Sequence, residues 1–255
     1  MQWIKDFEGH SGCKIQLCKD DERYVVIKSG SDKLKKSASL LKQLSRNYPI
    51  PKIYSVGDEQ ITMEYVNGMD MKTYLLNADN DKIEKLYEFI DLYIRTQIQC
   101  SSVNDLSFVI YKKIKQLKQN LDQSILPFSL DELFERLPKS VSTGLVHGDF
   151  TLDNMLYFND KFYLIDSNPT DISSVEYDVN KLRQDLDCLW FVRKESNKID
   201  YKINCKIISD KLKNKWTFLK NDSILIFMLV RILPYCKNKS NEKFIIKEIK
   251  KLWHQ

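Results

Sequence analysis

His147, Asp149, Asn154 and Asp166 have side-chain types and spacing that could transfer a phosphoryl group. The run Leu145-Val-His-Gly-Asp-Phe-Thr-Leu-Asp-Asn-Met-Leu-Tyr157 places the first three on one loop, and Phe162-Tyr-Leu-Ile-Asp166 ends a second hydrophobic segment in a carboxylate. Phosphoryl transfer needs few parts. One carboxylate accepts the proton of the attacking hydroxyl, while an amide oxygen and a second carboxylate hold a divalent cation on the phosphates. Asp149, Asn154 and Asp166 supply that set in chain order. Each also has an ordinary structural use: an aspartate caps a turn or ends a strand, and an asparagine satisfies loop backbone. The functional reading therefore rests on their conjunction, not on any one of them.

Such a loop must be held between short strands and braced by a larger scaffold. The apolar runs on either side predict a strand–loop–strand island over 144–166. Upstream, Cys13–Lys19 and Arg23–Lys28 alternate and are rich in Ile, Val and Tyr, with the acidic turn Asp20-Asp21 between them, which predicts a hairpin. Leu34, Leu40, Leu41 and Leu44 fall at helical spacing after Asp32, predicting a helix over 33–46 with Asp32 as N-cap and Pro49 and Pro51 as its stop. Further strands are expected near 52–56 and 60–66, joined by Gly57-Asp58. After Asn67-Gly68 the apolar period becomes helical: helices are expected over 81–100, 107–121 and 129–137, then near 175–192, 203–219, 222–236 and 241–253. There is no internal repeat. The fold class is α+β, with a small antiparallel-sheet lobe at 1–67, a connector near 65–70 and a larger, mostly helical lobe at 68–255.

The order H-x-D-x-x-x-x-N followed by a hydrophobic strand ending in Asp resembles the catalytic and metal loops of eukaryotic-like kinases. The wording HGDFTLDN…LIDS, with HGD instead of HRD, resembles the aminoglycoside phosphotransferase and choline kinase-like branch, which phosphorylates small molecules. That resemblance implies a bilobal protein kinase-like fold, ATP as phosphoryl donor and Mg2+ as its companion cation. It makes Asp149 the catalytic base, Asn154 and Asp166 the metal ligands, and His147 a brace between the loop and the strand carrying Asp166. In the sheet lobe, Lys28 at the end of Tyr24-Val-Val-Ile-Lys28 is the lysine that would reach the nucleotide phosphates, although a lysine at a strand end is commonly just solvated surface. Glu8-Gly9-His10-Ser11-Gly12-Cys13 stands where a phosphate-covering loop belongs, so Ser11 and Gly12 are candidates for nucleotide contact, with a plain glycine turn as the alternative. Met63-Glu64-Tyr65-Val66-Asn67-Gly68 resembles the hinge, where Glu64 and Val66 would bond adenine through their backbones.

The chain departs from the family pattern in two places. Kinases of this superfamily pair the strand lysine with a glutamate on the first helix, but Asp32–Leu44 contains no glutamate, and the aligned residue is Ser37. Glu8 and Asp32 are other carboxylates that could serve. After Asp166 stands Ser167-Asn168-Pro169 in place of the usual aromatic residue. Further on, Tyr177-Asp178-Val-Asn-Lys181-Leu182 resembles the run that opens the next helix in related small-molecule kinases, with Asp178 as a cap and brace. The missing glutamate motivates a second function: a catalytically silent kinase-fold protein that binds a nucleotide or a partner. A protein kinase is disfavoured because nothing like a DFG-to-APE activation segment lies between Asp166 and Asp178.

Composition narrows the partners. The 255 residues carry 40 Lys+Arg and 35 Asp+Glu, a net charge of +5, with only 7 Gly and 6 Pro and a 43% hydrophobic share that excludes wholesale disorder. The excess is local: residues 185–255 carry a net +8 and the remainder a net −3. A polycationic acceptor would favour an acidic pocket, so the expected acceptor is the hydroxyl of a neutral or anionic small molecule; a sugar, an amino alcohol such as choline and a surface-polysaccharide precursor are the classes considered. Trp190, Phe191 and Trp216 could wall such a site, but at helical spacing such residues usually belong to a core. Lys211, Lys213 and Lys215 sit among helical apolar residues without a nucleic-acid motif, so no nucleic-acid partner is expected. The six cysteines form no CxxC pair and the three histidines no zinc spacing, which points to reduced core cysteines. The charged start predicts no signal peptide, and the apolar run Ile224–Val230 is too short to cross a membrane. The expected location is cytoplasmic.

Overall fold

The computed structural model describes residues 1–7 and 12–254. The chain opens with strands β1 (Gln2–Phe7), β2 (Lys14–Asp20) and β3 (Arg23–Ser29), then helix α1 (Leu34–Leu44), β4 (Ile53–Val56), β5 (Gln60–Glu64), β6 (Met69–Asp70) and α2 (Met71–Leu76). Next come α3 (Asn80–Gln99), β7 (Ser102–Asp105), α4 (Ser107–Asn120), α5 (Leu130–Arg136), β8 (Ser140–Thr143), β9 (Met155–Phe158) and β10 (Lys161–Leu164). Helices α6 (Val175–Leu186), α7 (Ile199–Lys215), α8 (Ser223–Ile232) and α9 (Lys239–Trp253) complete it. By their contacts the residues form two compact units: 1–74, 147–149 and 153–170 make the first, and the rest make the second. The first unit thus takes in the hairpin at 155–164 as well as the N-terminal sheet, because β9 pairs with β6.

In the first unit, the described strands form an antiparallel sheet in the order β1-β2-β3-β5-β4. The turn between β2 and β3 holds Asp21 at φ 54, a conformation Asp tolerates better than most residues. Pairing of Val26 with Met63 and of Lys28 with Ile61 puts those four side chains on one face of the sheet. That face packs on α1 through Leu34, Ala38, Ile61 and Met63. The expected Asp32 N-cap is not found: Lys33 occupies the cap position without a side-chain cap bond, and its N–H is taken by the Ser31 hydroxyl at 3.2 Å. A second small sheet, β10-β9-β6, closes with Asn159 and Asp160 at φ 48 and 60, the backbone of a two-residue type I′ turn. Tyr74 packs its ring on Tyr157 and Phe162 of this sheet, and the three ring centroids lie 4.7–5.4 Å apart.

The second unit is built on α8, whose residues Ser223–Val230 are all buried because apolar side chains surround the helix. Its helix starts follow local chemistry. Asp79 caps α3, Ser174 caps α6, and Ser129 with Glu132 forms a capping box on α5. Asp178, expected to cap α6, instead lies within that helix and is buried. Helix α6 also ends earlier than the apolar period suggests, since Leu189 turns left-handed at φ 57. The lysines of α7 are fasteners: Lys211 bonds Glu84, Lys213 bonds Asp187 at 2.9 Å and Lys215 bonds Asp91 at 2.8 Å. Phe191 and Trp216 likewise serve the helical unit. Phe191 is buried edge-on to Tyr201, and the Trp216 indole donates to Asp91 at 2.9 Å. Burial pushes the Cys188 and Cys205 thiols up, as befits inert core cysteines. Among the described residues no helix is long and apolar enough to cross a membrane.

One buried ion network ties α6 to α7 and to the start of α8. Arg183 binds Asp187 through Nε at 2.8 Å, Asn180 through Nη1 at 2.9 Å, and Asp222. Ser209 and Lys213 also reach Asp187. Burial would raise the Asp187 carboxyl, but Arg183, Lys213 and Ser209 together outweigh it and hold the group below the ordinary carboxylate range. Its stabilisation is therefore complete above the unfolded-state value near pH 4 and is lost as pH falls through the lowered folded value. Asp187→Ala should cost about 3 kcal/mol at pH 7 by stranding buried cations. Urea unfolding should show that gap narrowing once the pH drops below about 4; a pH-independent gap would mean packing, not charge, explains the loss.

Candidate active site

All four chemistry-bearing positions fall in the first unit. Lys28 is the last residue but one of β3, on the sheet face that carries α1, and only 8% of it is exposed. A lysine this buried needs an anion. It finds Asp166, with Nζ 2.7 Å from Oδ1, across 138 residues of chain. The Asp166 carboxylate is more open, at 36% exposure, and its backbone is left-handed at φ 57. For a non-glycine residue that conformation is strained and persists where neighbours over-determine it. Those neighbours are firmly held. Ile165 N–H donates to the Asn154 carbonyl at 3.0 Å, Asn168 N–H to the His147 carbonyl at 3.0 Å, and His147 Nε2 to the Ile165 carbonyl at 2.8 Å. His147 therefore braces the loop against the strand end that carries Asp166.

Asn154 turns its amide NH2 toward Asp149, donating to the Asp149 carbonyl at 2.8 Å and to its carboxylate Oδ2 at 2.9 Å. That orientation leaves the amide oxygen of Asn154 as the group it can offer a cation. Between His147 and Asp149, Gly148 adopts φ 77. A Cβ built there would lie 1.8 Å from the Asn168 carbonyl oxygen, so no other residue fits without moving backbone.

The other expected contacts are distributed as follows. Ser11 lies outside the described residues. Gly12 stands just before β2 at φ 75, and among the described residues nothing lies within 4 Å of where a Cβ would be. Glu64 ends β5; its carboxylate accepts the Lys52 N–H at 2.9 Å and its own N–H donates to the Lys52 carbonyl at 2.8 Å, so both groups hold the end of the sheet. Val66, two residues on, is buried. Tyr24, Tyr54, Glu64, Tyr65 and Asn67 line a cleft beside this segment.

Asp178, expected as a cap and brace, does brace the core, while Asp185 and a serine contact are supports that the sequence reading missed. Asp178 and Asp185 are seven apart on α6, hence on one face, and both are buried. Asp178 accepts the Tyr93 hydroxyl at 2.6 Å and, at the long distance of 3.4 Å, the Phe150 N–H. Asp185 accepts the N–H groups of Leu152 at 2.8 Å and Phe191 at 3.1 Å. Within the second unit these carboxylates hold residues 150–152, which follow Asp149 in the chain. Two acids seven residues apart, and so on one face of α6, were the available signal. The Ser37–Ser167 contact was also unforeseen: the Ser37 hydroxyl donates to the Ser167 carbonyl at 2.5 Å, and the Ser167 hydroxyl returns a bond to the Ser37 carbonyl at 3.0 Å.

A sequence model of the phosphotransferase enzyme family matches residues 15–195, from the second residue of β2 to beyond the end of α6. The chain belongs to the phosphotransferase enzyme family. The resemblance drawn from the HGD loop is thereby borne out. No curated protein matches this phosphotransferase in sequence. Among solved structures, its fold is similar to that of the aminoglycoside phosphotransferase APH(4)-Ia in a thermostable, apo form, at 12% identity and a TM-score of 0.68, over 100% of this chain and 94% of that one. A ternary complex of the same enzyme with ADP and hygromycin B aligns at 12% identity and 0.69, over 99% and 93%. The streptomycin–ATP ternary complex of APH(2")-IIa aligns at 15% identity and 0.58, over 100% and 92%. The antiparallel N-terminal sheet and helical C-terminal part are those of a kinase-like fold.

The donor set of this phosphotransferase fits a hard cation shared with phosphates. Asn154 and Asp166 offer only oxygen. Among the described residues no group of three or more His, Cys, Asp or Glu side chains could cage a metal alone. A cation bound there would have to complete its shell with phosphate and water oxygens, which is the habit of Mg2+.

Proposed function

We propose that the chain is an ATP- and Mg2+-dependent phosphotransferase that phosphorylates a hydroxyl of a small neutral or anionic molecule. One observation carries the reading: the buried Lys28 is ion-paired to Asp166 at 2.7 Å, while Asn154 is bonded both to Asp149 and, through its carbonyl, to the residue before Asp166. A lysine, a base and two oxygen ligands in one hydrogen-bonded network are the parts phosphoryl transfer uses. Lys28 would neutralise phosphate charge, and Asn154 and Asp166 would hold the cation. Mg2+, when held there by Asn154 and Asp166, would supply positive charge against the charge that develops on the phosphates. Asp149 would take the proton of the acceptor hydroxyl as its oxygen bonds to the γ-phosphorus and the bond to the β–γ bridging oxygen breaks, releasing ADP. Glu64 and Val66 would present backbone groups to adenine, and Gly12 its backbone to the phosphates. Residues 1–67 would be the nucleotide-covering part, and 68–255 the part with the catalytic loops and acceptor site.

The acceptor reading rests on charge. Two of the similar structures hold hygromycin B and streptomycin, but the net +8 of residues 185–255 suits a neutral or anionic acceptor better than a polycation. The absence of acid from α1 favours the silent nucleotide-binding protein as the competing reading. Thermal shift with ATP, with and without Mg2+, followed by ADP release against neutral sugars, sugar acids, amino alcohols and aminoglycosides, separates the two. Stabilisation by ATP with Mg2+ and ADP release with a neutral or anionic acceptor are expected. Stabilisation without turnover of any acceptor would favour the silent protein, and turnover of aminoglycosides alone would overturn the charge argument.

A further inference from the structure

We propose that Ser37 and Ser167 form a clasp that positions Asp166, assuming the orienting role that a lysine–glutamate ion pair has in other kinases; this rests on the phosphotransferase reading above. Helix α1, Leu-Lys-Lys-Ser-Ala-Ser-Leu-Leu-Lys-Gln-Leu, contains no acid, so it cannot hold Lys28 through a carboxylate. Lys28 turns to Asp166 instead. Asp166 then has two tasks, since the oxygens that pair with Lys28 must also be offered to a cation. A side chain drawn between two positive groups is poorly oriented unless its backbone is fixed independently.

The fixing comes from both flanks. Ile165 is held through its N–H by Asn154 and through its carbonyl by His147. On the other flank, α1 contributes through serine. Serine within a helix commonly turns its hydroxyl back on a carbonyl of the preceding turn, yet Ser37 reaches 130 residues away to the Ser167 carbonyl. Ser167, only 4% exposed, returns its hydroxyl to the Ser37 carbonyl, and the two hydroxyl oxygens lie 3.3 Å apart. Asp166 is thereby kept left-handed between two pinned neighbours. Helix α1 acts on the backbone of the metal loop where other kinases act on the lysine. Ser37 and Ser167 are positioning residues: they touch neither phosphate nor cation in this scheme.

Calorimetric titration of ADP at stepped Mg2+ and in EDTA tests the clasp. Wild type, Ser37→Ala, Ser167→Ala, the double variant and Ser37→Thr are compared, with a melting curve for each. In Ser37→Ala and Ser167→Ala, affinity for ADP in EDTA should match wild type, while the gain that Mg2+ confers should fall roughly two- to tenfold, the range for one hydrogen bond. The double variant should lose little more than either single one, because both break one clasp. Ser37→Thr keeps the hydroxyl and should retain the gain. An unchanged Mg2+ gain in the alanine variants, on a wild type that shows one, overturns the clasp alone. An equal loss with and without Mg2+ also overturns it, by showing a general structural role. A wild type whose ADP affinity ignores Mg2+ overturns the site reading and the clasp with it. Should Ser167→Ala melt below the titration temperature, Ser37→Ala, at a partly exposed position, carries the test.

Discussion

Asp149→Asn should lower turnover by roughly 10²–10⁴-fold, the range for removing a general base, while ADP affinity stays near wild type. The substitution is chosen for its shape. An amide in place of the carboxylate keeps an oxygen that can accept the Asn154 NH2, and the second Asn154 bond goes to the Asp149 backbone carbonyl, which no side-chain change removes. The loop should therefore hold its form and lose only the ability to take a proton. Asp149→Ala should be comparably inactive, because turnover depends on the lost base and not on the lost cap. If Asp149 merely capped the loop, Asn would do so nearly as well, and Asp149→Asn would turn over within about tenfold of wild type. Steady-state kinetics on whichever acceptor the screen identifies, with ADP titration as the binding control, decides between these outcomes.

Gly148→Ala should damage both stability and turnover. A left-handed backbone alone costs a non-glycine residue about 1–3 kcal/mol. Here the new Cβ would also overlap the Asn168 carbonyl oxygen, at 1.8 Å, and approach its carbon at 2.8 Å. Neither is a flexible side-chain end, so the strand-end segment must move away and stretch the Asn168 N–H bond to the His147 carbonyl. The melting temperature should fall by roughly 5–10 °C, as about 2–3 kcal/mol does in a chain of this size. Turnover should fall at least about a hundredfold, because Asp149 is the next residue and an error of 1 Å in such a group is that costly. Gly30→Ala is the control. Gly30 has φ 94, but no described residue lies within 4 Å of where its Cβ would be, so strain alone applies and activity should persist. Equal effects from both variants would show that conformation, not the crowding by Asn168, sets the requirement for glycine at 148.

How much was legible in the sequence depended on how far apart the interacting residues lie. The β2–β3 hairpin, helices α3, α4, α5 and α8 and the hairpin at 155–164 could be read from apolar period and turn residues, since those signals act over a few residues. Shorter or less regular pieces could not. Strand β6 has only two residues, and every residue of β7 is exposed, so neither carries an alternation. The end of α6 was overestimated because the apolar period continues through Phe191, while the chain in fact turns at Leu189 and gives the Phe191 N–H to Asp185. The cap of α1 was misplaced for a related reason: Asp32 has the right chemistry, but the turn begins one residue later.

The overall charge of +5 changed meaning in the same way. Part of the C-terminal excess fastens α7 to its neighbours, since Lys211, Lys213 and Lys215 each meet a carboxylate. Sequence by itself determined the kind of chemistry available, because H-x-D-x-x-x-x-N and the following strand-end Asp lie close enough in the chain for spacing to bring them near one another. Tertiary structure decided how that chemistry is held. The partner of Lys28 lies 138 residues away, the partner of Ser37 lies 130 away, and the atom that forbids a side chain at 148 belongs to residue 168. Contacts of that range are not encoded in local periodicity. They exist only once the sheet, α1 and the 155–164 hairpin have packed into one unit.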